Sequence, residues 1–490
     1  MRQLSDYPDA DLRVFERPLL PDPKSIDSVH LIGICGTGMG SLAGLFKEAG
    51  FSVRGSDAAA YPPMNERLAA FGIPIVEGYK EENLSPPPDL VIVGNACTPT
   101  HIEAAFAREH NLVQASFPEA LARYFIEGRH SIVVAGTHGK TTTTSMLTHV
   151  FHAASLDPGF LIGGIMNDGG KSFSTGSDDY FLVEGDEYDS SYFDKRPKFL
   201  HYQPRGAIVT SVEFDHADIY RNQEEYQDAF REFVRLVPTD GVLALNADDL
   251  STLELANIAT SPIVYYGLNN ASLTAKNVTT SRRGQTFDLV NNGKNLGPIE
   301  LSMSGRHNLQ NALAVAAIAL DSEIPLRAIQ LGLKSFSGVQ RRQQILGEEG
   351  GVIVIDDFAH HPTAVGATIQ SVHERFPDHR IVAIFEPRSN SSRRKVFENG
   401  YAEALSQADA AFLCSPPFRH NDDVSNFMSI ETVLESLNRS GVHGQSAESA
   451  DALFDPLLEF LSPGDVALVM SNGGFGNIHR RLLQSLQENE

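Results

Sequence analysis

SIVVAGTHGKTTT, residues 131–143, runs from an apolar strand through a glycine-bracketed loop to a lysine and a run of threonines. The helix-like stretch TTTTSMLTHVFHAA (141–154) follows. Strand, loop and helix in that order form a phosphate-binding unit, because the loop amides and the helix N-terminus converge on an anion. The usual spacing G-x-x-x-x-G-K-[ST] asks for glycine at 134, where Val134 stands. The shorter GTHGKTT still offers the backbone of Gly136, Thr137, His138 and Gly139. Lys140 can reach the β- and γ-phosphates, the Thr141 hydroxyl can hold Mg²⁺, and Thr142 lies beside it.

On the N-terminal side, VHLIGI (29–34) leads into GICGTGMGS (33–41), then helix-like SLAGLFKEAG and a second strand, FSVRGSD (51–57). After the break SPPPD comes LVIVGNA (90–96). Against the dinucleotide fingerprint G-x-G-x-x-G, Gly36 and Gly38 fit, Ser41 stands where the third glycine belongs, and Asp57 follows about twenty residues on. A dinucleotide or the diphosphate of a UDP-sugar would suit Gly36, Thr37 and Gly38, and so would a plain tight turn.

On the C-terminal side, strands are predicted at YFLVEGD (180–186), AIVTSVE (207–213) and GVLALNADD (241–249). TFDLVNNGKNLGPIELSMSG (286–305) alternates about an Asn/Gly turn and predicts a small antiparallel excursion. The alanine-rich helix NLQNALAVAAIAL closes this block. After FSGVQRRQQ the β/α texture resumes with GVIVIDDFAHHP, RIVAIFEPRSN, AAFLCSPP and DVALVMSNGG. Strands alternating with helices predict parallel α/β sheets, and the blocks divide the chain into 1–127, 128–337 and 338–490. The chain's 490 residues suit roughly three domains.

The formal charge of −23 argues against a nucleic-acid partner, which needs a basic face. Cys35, Cys97 and Cys414 are scattered and form neither a disulfide framework nor a thiolate zinc site, which suggests a reducing cytoplasm. No apolar run is long enough to span a bilayer, and the start, MRQLSDYPDADLRVFERP, carries no secretory pattern.

Four further stretches carry chemistry. EGDEYD (184–189) and EFDHADIY (213–220) both follow strands, so parallel pairing brings Glu184 and His216 to one sheet edge with Thr141, where a hard cation could sit. In GRHNLQN (305–311), Asn308 and Asn311 share a helix face and their amides can read an adenine edge. Arg341 and Arg342 lie near the junction with the third block. Arg388, Arg393 and Arg394, in FEPRSNSSRR (385–394), form a basic cluster that could receive carboxylates or phosphates.

GTHGKTTT, EGDEYD, DHADIY, SGRHNLQN, FSGVQRR and DDFAHHPTA stand in the order and spacing of the Mur ligase family, which the chain resembles over nearly its whole length. That resemblance implies a UDP-sugar domain, an ATPase domain and a C-terminal dinucleotide-fold-like domain. It implies an ATP-dependent ligase that joins an amino acid or peptide to a UDP-N-acetylmuramoyl carboxylate through an acyl phosphate. It assigns Lys140 and Thr141 to the ATP phosphates and Mg²⁺, Glu184 and His216 to metal, and Asn308 and Asn311 to adenine. Arg342 and Asp357 would reach ATP from the third domain, with His360 or Asp357 as the base for the amine. Gly36, Thr37, Gly38 and Asp57 would meet the UDP-sugar. Several relatives carry a carbamylated lysine after the DH motif; no lysine occurs here from 199 to 275, so His216, substrate and water are expected to hold the second metal. Two kinds of member begin as this chain does, one taking L-alanine and the other the tripeptide L-alanyl-γ-D-glutamyl-meso-diaminopimelate in cell-wall recycling. EGDEYDSSYFDKRPKFLHYQPR and FEPRSNSSRR look closer to the second. Arg388, Ser389, Asn390 and Arg393 would then bind the peptide. The rival class is an NAD-dependent oxidoreductase, prompted by the glycine turn and Asp57. A nucleotide-binding regulator without catalysis is the other.

Overall fold

The computed structural model describes residues 3–60, 64–167, 169–217, 219–417 and 424–488. Three sheets follow one another along the chain. The first holds five parallel strands in the spatial order Ile75–Glu77, Ser52–Asp57, Ser28–Ile32, Leu90–Val93 and Gln114–Ser116. Leu90, Val91, Ile92 and Val93 are all fully buried, which is why LVIV reads as a continuous apolar run: both faces of this sheet are covered.

The central sheet has ten strands, Lys294–Leu301, Gly284–Asn291, Leu273–Ser281, Ile263–Tyr266, Val242–Asn246, Gly206–Val209, His130–Ala135, Tyr180–Gly185, Gly159–Leu161 and Phe173–Ser174. Its middle is parallel, and its first three strands form an antiparallel meander. Asn292 and Gly293 turn the last hairpin with φ of +48° and +78°, the left-handed pair that a two-residue turn requires. The predicted excursion is therefore present, one strand longer than the sequence indicates. The third sheet orders Gln344–Glu349, Val352–Asp357, Asp465–Met470, Arg380–Phe385, Ala410–Cys414 and His443–Ala447, antiparallel only at its first edge.

Packing joins the first two sheets. One continuous apolar core runs from Val29, Leu31 and Phe46 to Val133, Phe199 and Phe230. Tyr192 and Phe193, from the central block, pack on the other side of the first sheet with Val91 and Val93. The third sheet has two cores of its own, one on each face. Among the described residues no helix is long and apolar enough to cross a membrane.

Candidate active site

Val134 sits inside the central strand, fully buried and paired with Glu184 on one side and Ile208 on the other. The loop therefore starts one turn later than the usual motif. Gly136 has φ of +135°, and a Cβ there would lie 2.0 Å from the Thr210 hydroxyl; Gly139, at φ +81°, caps the helix Lys140–Ala153. Both positions need glycine. The Thr137 and His138 N–H groups donate to the Ser211 backbone and hydroxyl oxygens. The amides left for a phosphate are those that open the helix, at Lys140, Thr141 and Thr142, where the helix dipole also favours an anion.

Parallel pairing places EGDEYD beside this loop, as its strand register requires. The Lys140 ammonium donates to Glu187, 2.8 Å away and 1% exposed, and to the Gly136 carbonyl at 2.6 Å. Burial pulls Lys140 down, but Glu187, Asp186 and Glu184 outweigh it and hold it above its ordinary value. Burial pushes Glu187 the other way, and Lys140 and His216 keep it below the usual carboxylate range. The pair is charged on both sides. His216 lies 3.2 Å from Glu187 and, despite burial, is raised to about 9 chiefly by that contact. Its backbone stands at φ +53°, and Arg341 and Gln343 at +59° and +49°; left-handed non-glycine residues of this kind are held by their surroundings at about 1–3 kcal/mol each.

The Thr141 hydroxyl donates to Glu184 at 2.9 Å, and the second carboxylate oxygen takes the Gly163 N–H at 2.5 Å. Burial and Asp186 push Glu184 up to about 6. A half-buried carboxylate with a hydroxyl, both lining the cavity, is a donor set suited to Mg²⁺. His216, expected with them, meets Glu187 Oε1, while the Lys140 ammonium takes Oε2 of the same carboxylate.

Asn308 and Asn311 are buried on the helix Arg306–Asp321. Asn308 donates to the Ser304 carbonyl at 2.8 Å and Asn311 to the Asn308 side-chain oxygen at 3.4 Å. Just before the third sheet, Arg342 is half-buried near Asp357 with its guanidinium 4.8 Å from the Phe358 ring. Asp357 accepts the Gln343 and Ala359 N–H groups at 2.8 and 2.7 Å, so it fixes the loop that carries Arg342. His360 pairs its Nδ1 with the Phe358 carbonyl at 3.0 Å, and burial lowers it to about 4. Neutral at pH 7 and donating from Nδ1, it keeps Nε2 as a proton acceptor. Arg341 turns away, donating to Asp356 at 3.2 Å and to the Ser471 and Gly473 carbonyls at 2.6 Å each.

One cavity of about 1040 Å³ gathers these groups. Its lining includes Gly36, Thr37 and Gly38 from the first unit, the loop from Thr137 to Thr142 from the second, and Arg342, Asp357 and His360 from the third. Asp57 is outside the lining. It accepts the Cys35 N–H at 2.8 Å and so braces the glycine turn. Arg388, Ser389, Asn390 and Arg393 are also outside it. Arg393 is 4% exposed and holds its own loop, donating to Ser389, Asn390 and Pro417. Arg388 is half-exposed, 3.9 Å from Glu386 and packed against Gly473.

Two groups went unread in the sequence. Glu187 lay inside a quoted motif, but nothing in its spacing distinguishes the glutamate that meets Lys140 from the one that meets Thr141. Lys198, from DKRPKF, lines the cavity 3.1 Å from Asp186 and 3.0 Å from the Tyr188 hydroxyl, with its ammonium 5.1 Å from the Phe117 ring. The ring is 3.5 Å from where a Cβ on Gly38 would be, so this cation stands near the glycine turn of the first sheet.

Comparison with known proteins places these features in one family. The Mur ligase middle domain matches residues 134–319, the Mur ligase glutamate ligase domain 341–473 and the Mur ligase family catalytic domain 28–128. The chain is 37% identical to the UDP-N-acetylmuramate--L-alanyl-gamma-D-glutamyl-meso-2,6-diaminoheptandioate ligase of Escherichia coli (strain K12), covering 94% of this chain and 98% of that one. It is 33% identical to a UDP-N-acetylmuramate--L-alanine ligase of Clostridium acetobutylicum, covering 91% and 95%. The crystal structure of a murein peptide ligase from Psychrobacter arcticus 273-4 superposes with a TM-score of 0.71 at 35% identity, covering 94% and 98%.

Proposed function

The chain belongs to the Mur ligase family, and on that premise we propose that it uses ATP, with Mg²⁺, to join L-alanyl-γ-D-glutamyl-meso-diaminopimelate to the carboxylate of UDP-N-acetylmuramate in peptidoglycan recycling. The observation that carries this reading is the single cavity lined by the glycine turn of the first sheet, the lysine-threonine loop of the second and the Arg342 loop of the third. Three reactants would meet there. An oxidoreductase reading leaves Lys140 and its acidic partners without a task.

The units are assigned as 1–127 for the UDP-sugar, 128–337 for ATP and 338–490 for the peptide. Gly36, Thr37 and Gly38 would take the diphosphate, and Asn308 and Asn311 the adenine. Lys140 and the amides opening its helix would hold the phosphates. Thr141 and Glu184 would hold Mg²⁺, which supplies Lewis-acid stabilisation of phosphate charge when bound. The muramoyl carboxylate accepts the γ-phosphoryl group while Lys140 and Arg342 stabilise the charge on the transferring oxygens. The alanine amine then attacks the acyl carbon. His360 Nε2 takes the proton, inorganic phosphate leaves, and the amide remains. Closure of the third unit on the loop would keep water from the acyl phosphate. The three cysteines are buried and none is in a disulfide, which fits a cytoplasmic setting.

L-Alanine is the rival acceptor. The 37% identity to a ligase named for the tripeptide, against 33% to one named for L-alanine, favours the tripeptide. Measuring kcat/KM for tripeptide and L-alanine side by side tests this: the tripeptide should be preferred by at least about 100-fold, and a preference for L-alanine would overturn the acceptor assignment.

A further inference from the structure

At the seam between the central and third sheets three donors converge, none of them Thr141 or Glu184. His138 extends from the phosphate loop, Glu213 follows the strand Gly206–Val209, and His361 caps the helix Pro362–Arg375. One ligand atom from each lies within 4.8 Å of the others. His138 Nε2 is 2.7 Å from Glu213 Oε2, and His361 Nδ1 is 3.6 Å from the same oxygen. The two imidazole rings are 5.0 Å apart.

His361 is 5% exposed, yet neither of its ring nitrogens completes a hydrogen bond. The acceptors that face it are the Glu213 carboxylate and the Phe214 carbonyl. A buried imidazole with unmet nitrogens needs an explanation. The Glu213 carboxylate, by contrast, is oriented from behind: the Thr363 hydroxyl donates to Oε1 at 2.5 Å, which leaves Oε2 turned to the two histidines. An outer hydrogen bond that aims one oxygen is the usual support of a metal-ligating carboxylate.

We propose that His138, Glu213 and His361 bind a divalent transition cation, of the Zn²⁺, Mn²⁺ or Co²⁺ class, that fastens the third unit to the phosphate loop. Two imidazoles and one carboxylate suit such ions and not Mg²⁺, which prefers oxygen ligands. Donors about 2.1 Å from a common ion lie roughly 3–4 Å apart, so small side-chain rotations complete the set. His138 and His361 line the cavity, so the ion's remaining positions open towards the reactants. The site shares no residue with Thr141 and Glu184, and its occupancy is independent of which acceptor the enzyme uses. It ties the phosphate loop to the third unit, since His138 comes from the loop and His361 opens the helix Pro362–Arg375.

The test reads metal binding alone. Chelator-stripped full-length protein is titrated with Co²⁺ in excess Mg²⁺, and visible d–d absorption is followed. The wild-type chain should bind one absorbing equivalent. His361→Ala should weaken it on the order of 100-fold, as befits loss of a ligand when even supporting residues cost 10–100-fold. Glu213→Gln, which keeps the shape of the side chain, should weaken it similarly with an unchanged circular-dichroism spectrum. Glu184→Gln should leave it unaltered. Absence of an absorbing equivalent in the wild type, equal affinity in His361→Ala and Glu213→Gln, or loss of the signal in Glu184→Gln would each overturn the proposal.

Discussion

Removing the Lys140 ammonium and removing its partner should have separable consequences. In Lys140→Met, Glu187 keeps its charge at 1% exposure, with His216 3.2 Å away as its remaining cation contact. Breaking a buried pair from one side typically costs about 3–5 kcal/mol, because one charge is left uncompensated. His216 offsets part of this, so about 2–3 kcal/mol is expected for the central unit. Replacing both partners, in Lys140→Met/Glu187→Gln, removes the stranded charge and should recover at least about 1.5 kcal/mol of that loss. Turnover should not recover, because the cation facing the phosphates is still missing; loss of one such donor costs on the order of 10²–10³ in rate. Five separate apolar clusters make a single unfolding transition an unsafe readout, so stability is read from native-state hydrogen exchange of the amides from 131 to 151. ADP formation gives the rate. A double variant no more protected than Lys140→Met, or one that regains turnover, would refute the reasoning.

Arg341→Ala should destabilise the third unit by about 1.5–3 kcal/mol, since its charged hydrogen bonds to Ser471 and Gly473 go, while Arg342→Ala should lower kcat with little change in that unit's stability; native-state hydrogen exchange of the amides from 352 to 357 beside kinetics separates them. Glu184 is pushed up to about 6, above its ordinary 4.5, so ionising it in the fold is unfavourable and a proton competes with Mg²⁺ below that pH. Apparent Mg²⁺ affinity, from the Mg²⁺ dependence of initial rates, should therefore fall up to about tenfold per pH unit below 6, and Glu184→Gln should flatten that dependence. Glu213 is depressed to about 2 against burial by His138 and His361, so it stabilises the seam above its ordinary pKa and loses that effect as pH falls from about 4.5 towards 2; acid unfolding of Glu213→Gln should be correspondingly less steep. Arg388→Ala should raise the tripeptide KM far more than the ATP KM, and equal effects would count against a peptide-binding role.

The fold was legible wherever burial writes an unambiguous pattern. SIVVA, LVIV and the hairpin about Asn292 and Gly293 carry their structure in local sequence, as a two-faced core strand or a left-handed turn must. IVYY (263–266) was not read as a strand: three of its four residues are only partly buried, and its identity comes from pairing with Val242–Asn246. Within the site, Lys140 and Thr141 were readable because a phosphate loop is contiguous. The Glu187 contact, Lys198 at the glycine turn and the His138–Glu213–His361 seam depend on residues 47 to 223 positions apart meeting in space. Arg393 shows the reverse: a cation that looked available in sequence is buried in its own loop.

The most direct test follows an oxygen atom. UDP-N-acetylmuramate labelled with ¹⁸O in its carboxylate is supplied with ATP, Mg²⁺ and the tripeptide, and the released phosphate is analysed by mass. The account predicts that each phosphate carries one carboxylate oxygen and that steady-state turnover to ADP needs all three reactants, with no more than one equivalent per enzyme formed when the peptide is left out. Phosphate whose extra oxygen comes from the water, or ADP formed at an undiminished rate without the sugar substrate, would contradict it.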